Sequence, residues 1–361
     1  MSESVQIGSI THGLQLERPR SALSIAGANV FVTGASGFVG SHVTRLLVSR
    51  GAHVRCLVRS NSVVDDLRAL GVELVEGDLR DGASVARALS GADLVFHCAA
   101  DYRLHASDPA DLYATNVDGT NHVMRAAFDR GVRRIVHTSS VATLVPARDG
   151  TPVDERARGT LEQMIGDYER SKLLGQRVAE RWAARGLPVV IVSPATPVGE
   201  GDAKPTPTGQ ILVEFLRRRM PATVDTGLNL VDVRDVAAGH LLAAERGRLG
   251  DNYILGHRNL TLRQILELVA RISGQAAPRF EVPVWIPLAL AHLESRLARR
   301  TGRAPRIPLD GVRMSRRKMF FDARKAMVDL GWSPGRIEPA LERAVRWFVA
   351  RGLAPRPGAP C

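Results

Sequence analysis

Short apolar runs alternate with amphipathic stretches over the first half of this chain, and few folds accommodate that order. The runs are Val30–Thr33, Val54–Val58, Val72–Val75, Leu94–Cys98, Ile135–Thr138 and Val189–Val192. They are rich in Val and Ile and lack polar alternation, the pattern of strands buried on both faces. Helical patterns lie between them at Val39–Arg50, Val63–Leu70, Ala83–Leu89, Leu112–Arg130 and Tyr168–Arg185, with Gly51, Gly71, Gly91, Gly131 and Gly186 just past their ends as helix caps. The expected fold class is α/β, a doubly wound parallel sheet. After Pro194 the pattern breaks at Pro197, Pro205, Pro207 and Pro221, and helices resume at 235–245, 261–273 and 338–351.

The first run leads into Thr33-Gly34-Ala35-Ser36-Gly37-Phe38-Val39-Gly40, a G-x-x-G-x-x-G loop between a strand and a helix. In that context Gly34 permits the tight turn, Gly37 a close approach of backbone to a pyrophosphate, and Gly40 the packing of helix on strand. The sheet is therefore expected to be of Rossmann type. The predicted division is a polar extension over 1–26, a dinucleotide-binding domain over 27–193 to which 231–248 return, a smaller substrate-binding lobe from 194–230 and 249–350, and a tail over 351–361. A site for NAD usually carries an acid at the end of the second strand. Here Val58 is followed by Arg59, which suits a 2′-phosphate, so NADP(H) is expected over NAD(H). Asp78, after the third strand, is placed to accept from an adenine amino group or to cap the next helix.

Composition narrows the function classes. The chain has 361 residues, 45% apolar and 24% charged, an ordinary globular balance that excludes disorder and coiled coil. Aromatics at 5% are too few for a single-strand stacking platform, and no nucleic-acid reading motif accompanies the net charge of +12. Nine Arg or Lys against Asp310 alone fall between Arg296 and Lys318, so that segment carries +8. Cys56, Cys98 and Cys361 are far apart and form no CxxC pair, so neither a metal nor a disulfide framework is expected. Residues 1–26 do not form a signal peptide and no apolar run spans a membrane, which points to a cytoplasmic protein.

Tyr168-Glu169-Arg170-Ser171-Lys172 puts a phenol and an ammonium at i and i+4 on one helix face. A neighbouring ammonium favours the phenolate and is expected to lower the Tyr168 pKa, making it an acid or base near neutrality. Ser140 follows the fifth strand, at the carboxyl edge where such sheets bind ligands, and is expected to hold the substrate oxygen beside Tyr168.

The order of these features resembles the extended short-chain dehydrogenase/reductase family over roughly residues 27–350. Its marks are T-G-A-S-G-F-V-G at 33–40, G-D-L at 77–79, H-C-A-A at 97–100, N-V-D-G-T at 116–120, T-S-S-V-A-T at 138–143, Y-E-R-S-K at 168–172 and V-D-V-R-D-V-A at 231–237. The resemblance implies Ser140, Tyr168 and Lys172 as catalytic groups, with Asn116 shaping the site or bridging the sheet. It implies cofactor contacts from Ser36, Phe38, Val39, Leu79, Ala99 and Ala100, a second role for Lys172 on the nicotinamide ribose, and Pro194 bordering the nicotinamide. A narrower set of strings resembles the hopanoid-associated sugar epimerases: A-A-D-Y-R-L at 99–104, M-I-G-D-Y-E-R-S-K at 164–172, K-P-T-P-T-G at 204–209, M-P-A at 220–222, V-D-T-G-L-N-L-V at 224–231, Y-I-L-G at 253–256 and K-M-F-F at 318–321. That likeness implies a sugar or polyol joined to a pentacyclic lipid. The V-R ending of the second strand is shared with dihydroflavonol-reductase-like enzymes.

Three readings stay open: an NADPH-dependent reductase, a sugar epimerase that keeps NAD bound, and a non-catalytic dinucleotide sensor. Asp101, Tyr102, Arg103, Lys204, Thr206, Thr208 and Asp225 are expected to meet over the nicotinamide and hold substrate hydroxyls; the alternative is a proline-stiffened loop joining the lobes. The apolar stretch Val282–Ala291 ahead of the +8 segment is expected either to touch an anionic membrane at its inner face or to pack inside the second lobe. The expected partners are thus a small-molecule lipid substrate, an anionic membrane surface and a second copy in a homodimer, with no nucleic acid.

Overall fold

The computed structural model describes residues 23–103, 109–301 and 309–355, without the side chains of 299–301. Most of the N-terminal extension (1–22), Leu104, the side chains of Arg299, Arg300, Arg303 and Arg306, and the end of the tail (356–361) lie outside the described residues. The chain runs β1 (Asn29–Thr33), α1 (Phe38–Ser49), β2 (His53–Val58), α2 (Asp65–Ala69), β3 (Glu73–Glu76), α3 (Gly82–Ala88), β4 (Leu94–His97), α4 (Pro109–Tyr113), a π-helical turn (Ala114–Asp118) and α5 (Gly119–Asp129). It continues with β5 (Arg134–Thr138), α6 (Gly166–Ala184), β6 (Val189–Pro194), β7 (Thr196–Val198), α7 (Pro207–Leu216), β8 (Ala222–Thr223), β9 (Gly227–Asp232) and α8 (Val233–Arg246). Then come β10 (Asn252–Leu255), β11 (Arg258–Thr261), α9 (Leu262–Ser273), β12 (Phe280–Glu281), α10 (Trp285–Thr301), α11 (Leu309–Met314), β13 (Lys318–Met319), α12 (Arg324–Leu330) and α13 (Ile337–Ala350).

Seven strands pair in the order β10-β6-β5-β4-β1-β2-β3, all parallel. The chain steps outward from β1 to β3 and then returns to β4 on the other side of β1. Ligands bind such sheets at that switch point, outside the strands' carboxyl ends. All six apolar runs became strands of this sheet. The seventh, β10, falls in 249–350, the stretch assigned to the lobe: Tyr253, Ile254 and Leu255 are completely buried and pair with β6. Phe321, Ala323, Leu330 and Trp332 join the same core cluster, so the chain returns to the sheet twice.

The lobe is built on β9, which pairs with β11 along one edge and with β7 and β13 along the other. Its separate core lies among α7, α9 and α13. Pro207 stands in the first turn of α7, where a missing N–H is harmless. A single charged cluster fastens lobe to sheet: Arg343 of α13 grips both Glu200, at 2.8 Å, and Asp232, while Arg234 of α8 reaches Glu200 at 2.6 Å. Burial alone would raise the Glu200 carboxyl, but its own backbone and these guanidiniums hold it down at about 2.

Candidate active site

The glycine loop has the geometry its spacing implies. Gly34 turns at φ +74°, where a side chain is strained, and a Cβ there would lie 2.6 Å from the Ala99 nitrogen. A Cβ on Gly40 would lie 2.1 Å from the Gly34 oxygen. The α1 N-terminus begins at Gly37 with no side-chain cap and no acid in its first turn, and Ser36 and Gly37 are exposed. Uncapped N–H groups and the positive end of the helix dipole fit a pyrophosphate. Phe38 is buried against His42, Val39 is half-buried beside the turn, and Ala99 and Ala100 line the end of β4 across the loop.

The region around the end of β2 carries paired charge. Arg59 is exposed, and its backbone N–H donates to Ser62 Oγ at 3.0 Å. Asp78 accepts from Arg80 at 2.7 Å, which holds its carboxyl below the ordinary value with a smaller contribution from Arg59. Asp81, and not Asp78, caps α3. Leu79 is buried, and its carbonyl meets His122 Nδ1 at 2.8 Å.

Ser140, Tyr168 and Lys172 come together at the carboxyl edge of β5. Ser140 Oγ accepts from the Ala142 N–H at 3.1 Å, fixing the hydroxyl at the strand end. Lys172 is buried, and its Nζ donates to the Thr138 carbonyl at 2.9 Å; burial draws its pKa down to about 8. This corrects one expectation. Burial pushes the Tyr168 hydroxyl above its ordinary value, the neighbouring Ser140 hydroxyl only partly offsets this, and Glu169 adds to the rise. The shared helix face is real, but the ammonium reaches past Tyr168 to the strand. Tyr168 is therefore held as a neutral phenol.

Asn116 sits in the π turn, where one extra residue per turn redirects side chains. Its Oδ1 accepts from the Asp101 N–H at 2.7 Å, while its Nδ2 donates to the Asp101 carbonyl at 2.8 Å and to Ser171 Oγ at 3.0 Å. It thus pins the strand-end loop to the helix that carries Tyr168 and Lys172. A Cβ on Gly175 would lie 2.4 Å from the Asn116 carbonyl, so α6 needs its glycine there.

Beneath this lies a polar row not singled out from the sequence. Thr33 Oγ1 is 2.7 Å from His97 Nδ1, His97 Nε2 is 3.1 Å from Thr120 Oγ1, and Thr120 donates to the Asn116 carbonyl at 2.7 Å. Burial holds His97 neutral, with its pKa near 3. Because the one Thr120 proton is spent on Asn116, the imidazole must donate from Nε2 and accept from Thr33 at Nδ1. The available signal was a histidine inside a run expected to be buried on both faces.

The substrate strings divide. Tyr102 donates to the Lys204 carbonyl at 3.1 Å, joining the loop after β4 to the lobe. Asp101 is ion-paired with Arg103; burial alone would raise its pKa, but Arg103 holds it below the ordinary value. Thr206 caps α7 and donates to Asp202, and Thr208 is half-buried in the first turn of that helix. Asp225 is ion-paired with Lys318 at 2.8 Å. Pro194 is buried at the end of β6.

Glu169 was also overlooked. It is buried beside Tyr168, accepts from the Ile165 N–H at 2.6 Å, and burial raises its pKa from 4.5 to about 7. The folded state therefore holds this proton more tightly than the unfolded chain does. The associated stability is present at low pH and lost as pH rises from about 4.5 through about 7. Asp202, raised to about 6 by burial, acts in the same direction. Urea unfolding at pH 5 and pH 8 should show Glu169→Gln retaining on the order of 2–3 kcal/mol that wild type loses. An equal loss in both proteins would show that Glu169 is not the group responsible.

The chain matches the NAD dependent epimerase/dehydratase family over residues 30–256. It is 46% identical over 326 residues to a Synechocystis protein provisionally named a dihydroflavonol 4-reductase, covering 89% of this chain and 95% of the relative. It is 35% identical over 324 residues to sterol demethylase protein B of Methylococcus capsulatus, covering 89% and 98%. The crystal structure of gox2253 superimposes with a TM-score of 0.81 at 42% identity, covering 91% of this chain and all of that one. With the glycine loop, the switch point and the match along most of its length, the chain belongs to the NAD-dependent epimerase/dehydratase family, the extended short-chain dehydrogenases/reductases, whose members bind NAD(P).

Proposed function

We propose that the protein is an NADPH-dependent reductase acting on a carbonyl at a sugar or polyol carbon, joined to a hopanoid-type polycyclic lipid. The observation that carries this reading is the half-buried Tyr168–Ser140 pair, with the Tyr168 hydroxyl kept protonated at the carboxyl edge of the sheet. A bound dinucleotide would supply the hydride that the carbonyl carbon takes up. Tyr168 then gives its hydroxyl proton to the oxygen that gains charge, and Ser140 holds that oxygen in line. Lys172, anchored at the Thr138 carbonyl, holds positive charge below Tyr168 and is the group to steady the ribose. Asn116 keeps the loop and the helix in register. The same groups serve a sugar epimerase, which oxidises and re-reduces one carbon without net use of cofactor. Incubating the protein with NADPH and a ribosyl-type hopanoid, with mass spectrometry of the product, separates the two. Product formed without NADPH consumption would make it an epimerase.

Preference for NADP(H) rests on Arg59 standing where an NAD-specific site carries an acid. Removing one charge-assisted phosphate contact loses about 1.5–3 kcal/mol. Arg59→Ala should therefore weaken NADPH binding about 10- to 150-fold and leave NADH binding nearly unchanged. Equal dissociation constants for the two cofactors in wild type would refute the preference. The Asp101–Arg103 and Lys204–Thr208 loops, joined through Tyr102, and Asp225 are the proposed holders of substrate hydroxyls. A substrate of this kind resides in a bilayer, so peripheral placement at an anionic membrane belongs to the same reading.

A further inference from the structure

Helix α10 is amphipathic the wrong way round for a packed helix. The small Ala291 is completely buried, whereas Leu290, Leu293 and Leu297 are 50%, 56% and 50% exposed. Their spacing of three and four residues puts them in one row facing water. Trp285, at the start of the helix, is 65% exposed, and Phe280, just ahead of it, is 73% exposed. The alternative that Trp285, Ile286 and Leu290 pack inside the lobe therefore fails for Trp285 and Leu290, and Ile286 is only half-buried. Pro287 lies in the first turn, so the helix keeps its ladder. Arg296 is exposed along one side of the row, and Arg316, exposed beyond α11, follows in the +8 segment. No helix among the described residues is long and apolar enough to cross a membrane.

We propose that the outward face of α10, with Phe280 ahead of it, is the surface by which the protein lies on an anionic bilayer, its leucines and Trp285 entering the headgroup boundary and Arg296 and Arg316 meeting lipid phosphates. A row of leucines would equally suit a helix from a second copy. Charge decides against that occupant: a copy would set its own exposed Arg296 and Arg316 against these, whereas an anionic surface neutralises them. The helix is also linked to the site through its neighbour. Helix α11 packs on α10, and its Asp310 abuts Gly166 at the start of the helix that carries Tyr168, where a Cβ would lie 2.3 Å from the carboxylate. A lipid substrate could then present its polar end to Tyr168 while its hydrocarbon body remains in the membrane. The inference rests on the lipid-substrate reading only for its purpose, since docking requires neither substrate nor turnover.

Co-sedimentation of the full chain with vesicles tests it. With equal parts phosphatidylglycerol and phosphatidylcholine at low salt, most of the protein should pellet. With phosphatidylcholine alone it should stay in solution, and about 0.5 M salt should release it, because screening then acts within a few ångströms. Leu290→Ser with Leu293→Ser alters only exposed side chains and should lower the bound fraction roughly tenfold, as should Arg296→Glu with Arg316→Glu. The turnover-deficient Tyr168→Phe protein should pellet as wild type does, so docking and the proposed reaction can fail separately. Wild type that remains in the supernatant with the anionic vesicles overturns the proposal. So does binding that the leucine pair leaves unchanged, or sedimentation velocity showing a dimer that the leucine pair dissolves while vesicle binding is absent.

Discussion

Tyr168→Phe is expected to abolish turnover while leaving cofactor binding intact. The change removes one oxygen from a helix whose position is set by other contacts: Lys172 on the Thr138 carbonyl, Ser171 on Asn116, and Gly175 against the Asn116 carbonyl. Loss of a general acid typically lowers rate about 10²–10⁴-fold. Here the loss should fall at the upper end, because Lys172 is turned to the strand, its Nζ donating to the Thr138 carbonyl. Steady-state rates with cofactor titrated by fluorescence would check both halves. A Phe variant with a near-normal rate would remove Tyr168 from the chemistry. A protein that binds cofactor but gives no product with any carbonyl tested, in wild type and variant alike, would favour a sensor.

Gly40→Ala should damage the cofactor site most severely of the small substitutions. The added methyl would lie 2.1 Å from the Gly34 oxygen, 2.7 Å from its carbonyl carbon and 3.2 Å from the Ala35 nitrogen, all backbone that cannot swing aside. Overpacking of this kind costs about 1–3 kcal/mol of stability. Relief requires the turn to part from α1, which spoils the alignment of the N–H groups, so dinucleotide affinity should fall by about two orders of magnitude. Calorimetric titration beside a thermal melt separates the two losses. Unchanged affinity would mean that the loop binds nothing through its backbone.

The sheet was legible because most of its strands are buried on both faces and so are written as short, mostly apolar runs without polar alternation. β10 escaped because Asn252–Leu255 opens on a polar residue and follows the break after Pro194, outside the alternation that revealed the other strands. The π turn was read as continuous helix from Leu112 to Arg130. Nothing in Ala114–Asp118 marks it, since contacts from outside the helix, Asp101 and Gly175, hold it in place. The lobe was hardest. Strands β7 and β13, of three and two residues, exist only as partners of β9. In the site, residue types and order pointed to Ser140, Tyr168 and Lys172. The direction of the Tyr168 shift was not legible, because helical spacing says two side chains share a face but not that one of them reaches a strand carbonyl.

The row from Thr33 through His97 and Thr120 to Asn116 has a consequence for anyone who would recombine this protein with its relatives. Each proton in it points one way, and its first member is the residue just ahead of Gly34. A chimera that imports a foreign glycine loop lacking a hydroxyl at position 33 would leave Nδ1 of a buried imidazole without a donor, deep in the sheet. The damage would surface far from the graft, at the turn that carries Asn116. Thr33, His97 and Thr120 must therefore travel together, as a heritable block spread over three separate stretches of chain.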